Sequence, residues 1–207
     1  IATRKGGDPT SNFSLRIAIE KGKSINMPKD NIERAIKRGT GESNDAQIEE
    51  LTYEGIGPAK TQFIVKCLSD SKNRTAAEIR HLFTKHGGSL GTVMWNFSQQ
   101  GIIMIEQSEI NEKKLTDENF ELELIDAGAE DIKKEEEGMT IFTSSTDLQK
   151  TKQFLENKNI KTESAQVEYV AKEQANLNEE EKAQVEKFIE ELENNEDVSD
   201  YYTNANI

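Results

Sequence analysis

The chain has 207 residues, with 39 acidic and 26 basic side chains and a net charge of −13. Apolar residues make up 34%, or about 40% with the 13 glycines, below the roughly 45–50% of an average globular domain. That deficit favours several small cores over one large core. No run approaches 18 apolar residues and no secretory leader is visible, so we expect a cytoplasmic protein with no membrane contact.

The charge is unevenly distributed along the chain. Residues 1–41, which we call the head, hold nine Lys or Arg and four Asp or Glu, a net charge of +5. The remaining 166 residues therefore carry −18, since the whole chain carries −13. A basic segment attached to an acidic body can bind phosphate groups while the body is repelled by them.

Two helices are predicted in the head. Apolar residues recur with the helical period over residues 12–23, and Pro28 begins a second helix that Gly39 ends as the residue after its last turn. Two short helices bury little apolar surface, so we expect a third helix before Ile1. Residues 42–47 are polar and predict a linker.

Beyond the linker, strand and helix patterns alternate. Strands are predicted at 61–68, 93–97, 101–105, 129–134, 139–143, 166–171 and 198–203. Helices are predicted at 75–86, 116–127, 146–158 and after Asn178. Thr146 and Asn178 each begin a capping-box pattern, and Ile125 is placed on the inward face of its helix.

The order of these elements predicts an α+β fold, with an N-terminal helical domain followed by two ferredoxin-like α+β domains, one inserted in the other. The segment from 101 to 171 has the complete β-α-β-β-α-β order. We predict domains at 1–48, at 49–100 joined to 172–207, and at 101–171. The strand at 166–171 could belong to either sheet.

No pattern of side chains is typical of catalysis or metal binding. His81 and His86 are five residues apart, roughly 140° around a helix, and do not form a metal pair. Cys67 lies in an apolar strand, so we interpret it as core packing. The Gly55-Ile-Gly-Pro-Ala-Lys60 segment lacks the spacing of a phosphate-binding loop. We predict no enzyme activity, no catalytic residue, no cofactor, no metal and no small-molecule substrate.

Two further large apolar residues are assigned to packing. We interpret Met27 as packing in a core or at a joint of the structure. We interpret Trp95 as packing in a sheet, with base stacking as the alternative role.

The second head helix carries two charged rows with a spacing of four residues, Lys29-Glu33-Lys37 and Asp30-Arg34-Arg38. A solvated helix surface and a phosphate-contacting surface account for these rows equally well. The functional interpretation is that the head binds nucleic acid.

A series of short motifs occurs in a fixed order along the chain. They are Gly6-Gly-Asp-Pro9, Asn26-Met-Pro-Lys-Asp-Asn-Ile-Glu-Arg-Ala-Ile36, Arg38-Gly-Thr-Gly41, Tyr53-Glu-Gly-Ile-Gly-Pro58, Cys67-Leu-Ser-Asp-Ser-Lys-Asn-Arg-Thr75 and Phe83-x-Lys85-x-Gly87-Gly88. Together they resemble the YebC type of bacterial regulatory protein, a relative of the mitochondrial translational activator of cytochrome oxidase. Where that family usually has a second glycine pair after Gly57-Pro58, this chain has Ala59-Lys60.

The resemblance implies three domains, no catalysis, no cofactor and a role in gene expression. It also implies that Arg16, Lys29, Arg34 and Arg38 are phosphate contacts. With their basic neighbours, the candidate nucleic-acid-binding residues are Arg4, Lys5, Arg16, Lys23, Lys29, Arg34, Lys37 and Arg38.

Three functions stay open at this point. The first is a DNA-binding transcriptional regulator. The second is a translation factor that binds the ribosome or its RNA and helps the synthesis of difficult nascent sequences, with Arg74 and Arg80 adding to the contact. The third is a protein-interaction module that docks through its acidic sheets. We expect a monomer in each case.

Overall fold

A computed structural model describes residues 1–41, 48–115 and 117–207. The predicted linker at 42–47 and the first residue of the helix predicted at 116–127 lie outside them. The described helices are α1 (Phe13–Ser24), α2 (Lys29–Gly39), α3 (Lys72–Lys85), α4 (Gln107–Lys113), α5 (Glu118–Asp126), α6 (Leu148–Asn157) and α7 (Glu179–Glu193). The described strands are β1 (Glu49–Ile56), β2 (Gln62–Ser69), β3 (Ser89–Leu90), β4 (Phe97–Glu106), β5 (Ala129–Glu135), β6 (Gly138–Ser144), β7 (Ser164–Ala171) and β8 (Val198–Thr203).

These elements form two four-stranded sheets with helices, which confirms the α+β class. The described chain divides into two compact units. The first unit holds residues 48–98 and 169–207, and the second holds 2–41 and 99–168. The second unit thus contains the head, and the separate head domain stays a prediction.

The first unit is built on the sheet order β3-β1-β2-β8 with antiparallel neighbours. Helices α3 and α7 cover one face, where Phe63, Phe83 and Phe188 are fully buried. On the other face Ile64 packs with Val93 and Phe97.

The second unit has the sheet order β5-β6-β4-β7. This places β7 beside β4 and resolves which sheet the strand predicted at 166–171 joins. Helices α5 and α6 bury Leu124 and Leu155 against Ile103 and Ile141 of the sheet. The turn between β5 and β6 lies where the Glu135–Gly138 sequence placed it.

Several predicted elements differ from the structure. The predicted strand at 93–97 is wrong, because residues 94–96 form a 3₁₀ turn and β4 begins only at Phe97. The N–H groups of Val93 and Met94 both donate to Oε2 of Glu54 at 2.8 Å and are held out of a strand ladder. Strands β1 and β3 and helix α4 were not predicted, and α3 begins at Lys72 rather than at residue 75.

The helix-boundary predictions give a mixed result. The Asn178 capping box is confirmed, with Glu181 as its second member. The Thr146 capping box is wrong, since Asp147 is the N-cap of α6 and makes no side-chain cap bond. Ile125 is 55% exposed rather than inward, because Phe120 and Leu124 already fill the core-facing side of α5.

The backbone of the loop between β1 and β2 is strained, and a glycine substitution can relieve that strain. Ala59 and Lys60 have φ values of 53° and 61°, a region that costs an L-residue about 1–2 kcal/mol. We expect Lys60→Gly to raise the free energy of unfolding by about 1 kcal/mol, since the Lys60 side chain is exposed. Chemical denaturation measures this. Lys60→Ala is the control, since it keeps the strain, and an equal gain in that variant contradicts the explanation.

Candidate nucleic-acid interface

The residues before α1 are tied to the first turn of that helix by Asn12. Its side-chain oxygen accepts a hydrogen bond from the N–H of Leu15 at 3.2 Å. Its side-chain nitrogen donates to the carbonyl oxygens of Ala2 and Gly6, at 2.8 and 2.7 Å. Asn12 is 4% exposed, so the N-cap also serves as a buried connector.

The segment from Ala2 to Lys5 forms a 3₁₀ turn that packs against α2. Thr3 lies directly on Gly39, where any side chain would overlap it. Gly39 is the last residue of α2 and not the residue after the helix as predicted. The close approach of Thr3 leaves room there for glycine alone. This contact brings Arg4 and Lys5 beside the end of α2 that carries Lys37 and Arg38.

The turn between α1 and α2 is fixed by its backbone. The N–H of Met27 donates to the carbonyl of Gly22 at 2.9 Å, and that of Asn26 donates to Lys23 at 3.0 Å. Asn26 has a φ of 58°. This arrangement is a Schellman motif, so the turn has one defined conformation.

The basic residues predicted for the interface occupy two ends of the head. Lys23 and Lys29 flank the turn. Lys37 and Arg38 lie with Arg4 and Lys5 at the far end of α2, about 12 Å along the helix axis from Lys29. Arg34 lies one turn before Arg38.

Seven of the eight candidates are exposed, and Arg16 is the exception. Its guanidinium carbon lies 5.3 Å from the centre of the Phe13 ring, and its Nε is buried without a hydrogen-bond partner. Arg16 is thus half-buried in the packing of α1. We retain the exposed seven as the stronger candidates.

Helix α1 is attached to the rest of the second unit by apolar and ionic contacts. Phe13 and Ile17 pack against the core beneath α5 and α6. Lys152 of α6, only 4% exposed, forms an ion pair with Glu20 of α1 and lies 3.7 Å from Glu156. The basic surface of the head is therefore held against the folded core of the second unit.

Arg74, suggested as a further RNA contact, pairs with Asp197 inside the first unit while its side chain stays half-exposed. Its guanidinium donates to both carboxylate oxygens of Asp197, at 3.0 and 3.1 Å. Burial raises the pKa of Asp197, but hydrogen bonds from Thr75, Arg74 and Ser69 outweigh it and leave that pKa below its usual value. Arg80 is exposed.

The remaining candidate residues behave as packing or surface groups. Cys67 is fully buried, and burial, followed by the charge of Asp197, raises the pKa of its thiol to about 12. Trp95 is 61% exposed and does not pack in a sheet as predicted. Met27 is 40% exposed, and its sulfur lies beside Gly22 at the junction of α1 and α2. Among residues 1–41, 48–115 and 117–207, no cluster of His, Cys, Asp or Glu is placed to hold a metal ion. No helix in that part of the chain is long and apolar enough to span a bilayer.

The fold and the head together define a multi-domain α+β protein with a cationic helical segment at its N-terminal side. The family model described as the TACO1/YebC protein N-terminal domain matches residues 1–42. The model described as the TACO1/YebC second and third domain matches residues 48–205. The chain belongs to the TACO1/YebC family.

Individual relatives support this assignment. A probable transcriptional regulatory protein of Thermoanaerobacter pseudethanolicus is 44% identical over 209 residues, covering 100% of this chain and 83% of that protein. One of Syntrophus aciditrophicus is 45% identical, covering 98% and 80%. The crystal structure of a conserved hypothetical protein from Aquifex aeolicus has a TM-score of 0.85 at 38% identity, covering 100% of this chain and 85% of that one.

Proposed function

We propose that this protein is a non-enzymatic regulator of transcription that binds the phosphate backbone of DNA through its head. The observation that carries the proposal is the exposure of seven basic side chains on a segment of net charge +5. Lysine and arginine that neutralise phosphates supply most of the sequence-independent affinity for DNA. The names of the bacterial relatives, probable transcriptional regulatory proteins, support the regulatory part.

The charge distribution also favours a particular way of binding. The first half of α2 carries Asp30 and Glu33, whereas its second half carries Arg34, Lys37 and Arg38. A recognition helix usually contacts bases with its N-terminal residues, and Asp30 and Glu33 disfavour such base readout along the first half of α2. We therefore propose contact with the backbone through the C-terminal half of α2, with the acidic body directed away from the DNA.

The test is the charge reversal Arg34→Glu with Arg38→Glu. Each phosphate contact contributes about −0.9 to the slope of log affinity against log salt. We expect the double variant to weaken binding to duplex DNA and to reduce the slope by about 2. Fluorescence anisotropy over a salt series measures both quantities, and thermal unfolding checks the fold.

A matched control separates a local contact from a change in net charge. Lys72→Glu with Lys187→Glu makes the same number of reversals at exposed positions on α3 and α7. We expect this control to bind nearly as the unchanged protein does. Equal affinity and slope in the α2 variant and the unchanged protein would refute the proposed surface.

Ribosomal RNA is the second candidate target. The observation that favours it is the mixed charge of α2, which suits recognition of phosphates and shape better than a code of base contacts. Sedimentation of cell lysate distinguishes the two. Migration with ribosomal subunits that persists after removal of DNA by nuclease supports translation. Absence from those fractions, together with a protected site on a promoter, supports transcription.

A further inference from the structure

The turn between α1 and α2 presents two apolar side chains to solvent. Ile25 is 67% exposed and Met27 is 40% exposed. Single exposed apolar residues are common on protein surfaces. These two, however, lie two residues apart at the tip of a helical hairpin, so they form one small apolar patch.

The tip is ordered as well as exposed. Ile25 is the C-cap residue of α1, and the Schellman bonds of Asn26 and Met27 close the helix immediately after it. Pro28 is then the N-cap of α2. An apolar patch whose backbone is held by a helix on each side loses little conformational entropy when it binds a partner.

The tip carries lysines on both sides, and the nearest acidic residues in the sequence are Glu20 and Asp30. Residues 21–29 contain three lysines and no acidic residue. Lys21 and Lys23 lie in the last turn of α1 and Lys29 begins α2. Lys29 pairs with Glu33 at 3.5 Å, but both side chains are more than half exposed, and such surface pairs exchange readily for a phosphate partner.

A small apolar patch flanked by lysines is complementary to an unstacked base step, which lies between the phosphates of the two DNA backbones. Proteins that bend DNA insert Ile, Met, Leu or Phe between bases from the minor groove and hold the flanking phosphates with Lys or Arg. We propose that Ile25 and Met27 form a wedge that inserts at a base step of duplex DNA, with the flanking lysines on the adjacent phosphates. The inference rests on the proposed function and adds a bend in the bound duplex.

The experiment uses the full chain and a duplex of about 30 base pairs with a fluorophore at each end, a length in which bending is measurable. We expect energy transfer to rise when the unchanged protein binds. Ile25→Ser with Met27→Ser should abolish that rise and weaken binding about tenfold. Its salt slope should stay unchanged, because every lysine remains. Ile25→Leu with Met27→Leu should restore the bend.

The matched control removes two other exposed apolar residues, Leu122→Ser with Ile125→Ser on α5, which are 60% and 55% exposed. We expect this variant to bend DNA normally. A duplex that stays straight with the unchanged protein, or bends equally with the serine variant, overturns the wedge while the Arg34 and Arg38 test still judges the proposed function.

Two other partners appear as distinct outcomes of the same measurement. Bending of the matching RNA duplex alone would overturn the proposal in favour of RNA. Binding to vesicles of anionic phospholipid, with loss in the serine variant and no DNA bending, would overturn it in favour of a lipid surface.

Discussion

Phe188→Ala is expected to lower the free energy of unfolding of the first unit by about 4 kcal/mol. The ring is fully buried and lies edge-on to two others, with centres 4.9 Å from Phe63 and 5.0 Å from Phe83. The variant loses both the buried area and the aromatic contacts, each contact contributing about 0.5–1.5 kcal/mol. Chemical denaturation followed by circular dichroism measures the change.

The control for Phe188 is an exposed residue of similar chemistry. Leu122 is 60% exposed on α5, and Leu122→Ala is expected to change stability by less than about 0.5 kcal/mol. A loss at Phe188 no larger than that at Leu122 would contradict the assignment of the three phenylalanine rings as the centre of the core.

Removing Glu20 is expected to destabilise the second unit much more than removing Lys152. Glu20 is half-exposed and Lys152 is 4% exposed. Removing Glu20 therefore leaves a buried charge behind, whereas removing Lys152 leaves an exposed one. Glu20→Ala leaves a buried ammonium with Glu156, 3.7 Å away, as its remaining ion-pair partner among the residues that the structure describes, at a cost of about 3 kcal/mol. Lys152→Met leaves a carboxylate that water can solvate and is expected to be neutral within about 1 kcal/mol.

The double variant Glu20→Ala with Lys152→Met completes the cycle. It should recover most of the stability lost in Glu20→Ala, because no buried charge is left unpaired. Hydrogen exchange of the α1 amides gives a second measurement, since α1 carries Glu20, and the same order of protection is expected. If the two single variants lose equal stability, the buried ammonium is not the cause.

The sequence identified what depends on local chemistry. The Asn178 capping box and the Glu135–Gly138 turn are set by residues a few positions apart, and the structure confirms both. The charge of the head is likewise visible in the sequence alone. Its order of motifs also sufficed to indicate the family.

What the sequence could not indicate depends on distant partners. Strand β1 begins with two glutamates and becomes a strand because it pairs along its whole length with β2. The turn at 94–96 depends on Glu54, about forty positions earlier. The guanidinium of Arg74 donates to Asp197, 123 residues away. No local periodicity contains such information.

For the candidate site, the exposed fraction of each side chain could not be predicted from the sequence. The sequence does not distinguish Ile25, 67% exposed, from Met27, which is 40% exposed and packs beside Gly22. The signal that could have indicated this exposure is Asn26, since asparagine tolerates the left-handed conformation that ends a helix and turns the chain outward.

The first unit has a consequence for how the protein is made. Its sheet and core require β8 and Phe188, which come from the last 39 residues of the chain, whereas the residues of the second unit are all translated earlier. During synthesis, Phe63 and Phe83 therefore leave the exit tunnel long before their partner ring exists. The first unit cannot complete its fold until residues 169–207 are made, whereas the second unit can fold earlier. The half-formed sheet of the first unit is the stage at which a chaperone would protect the growing chain.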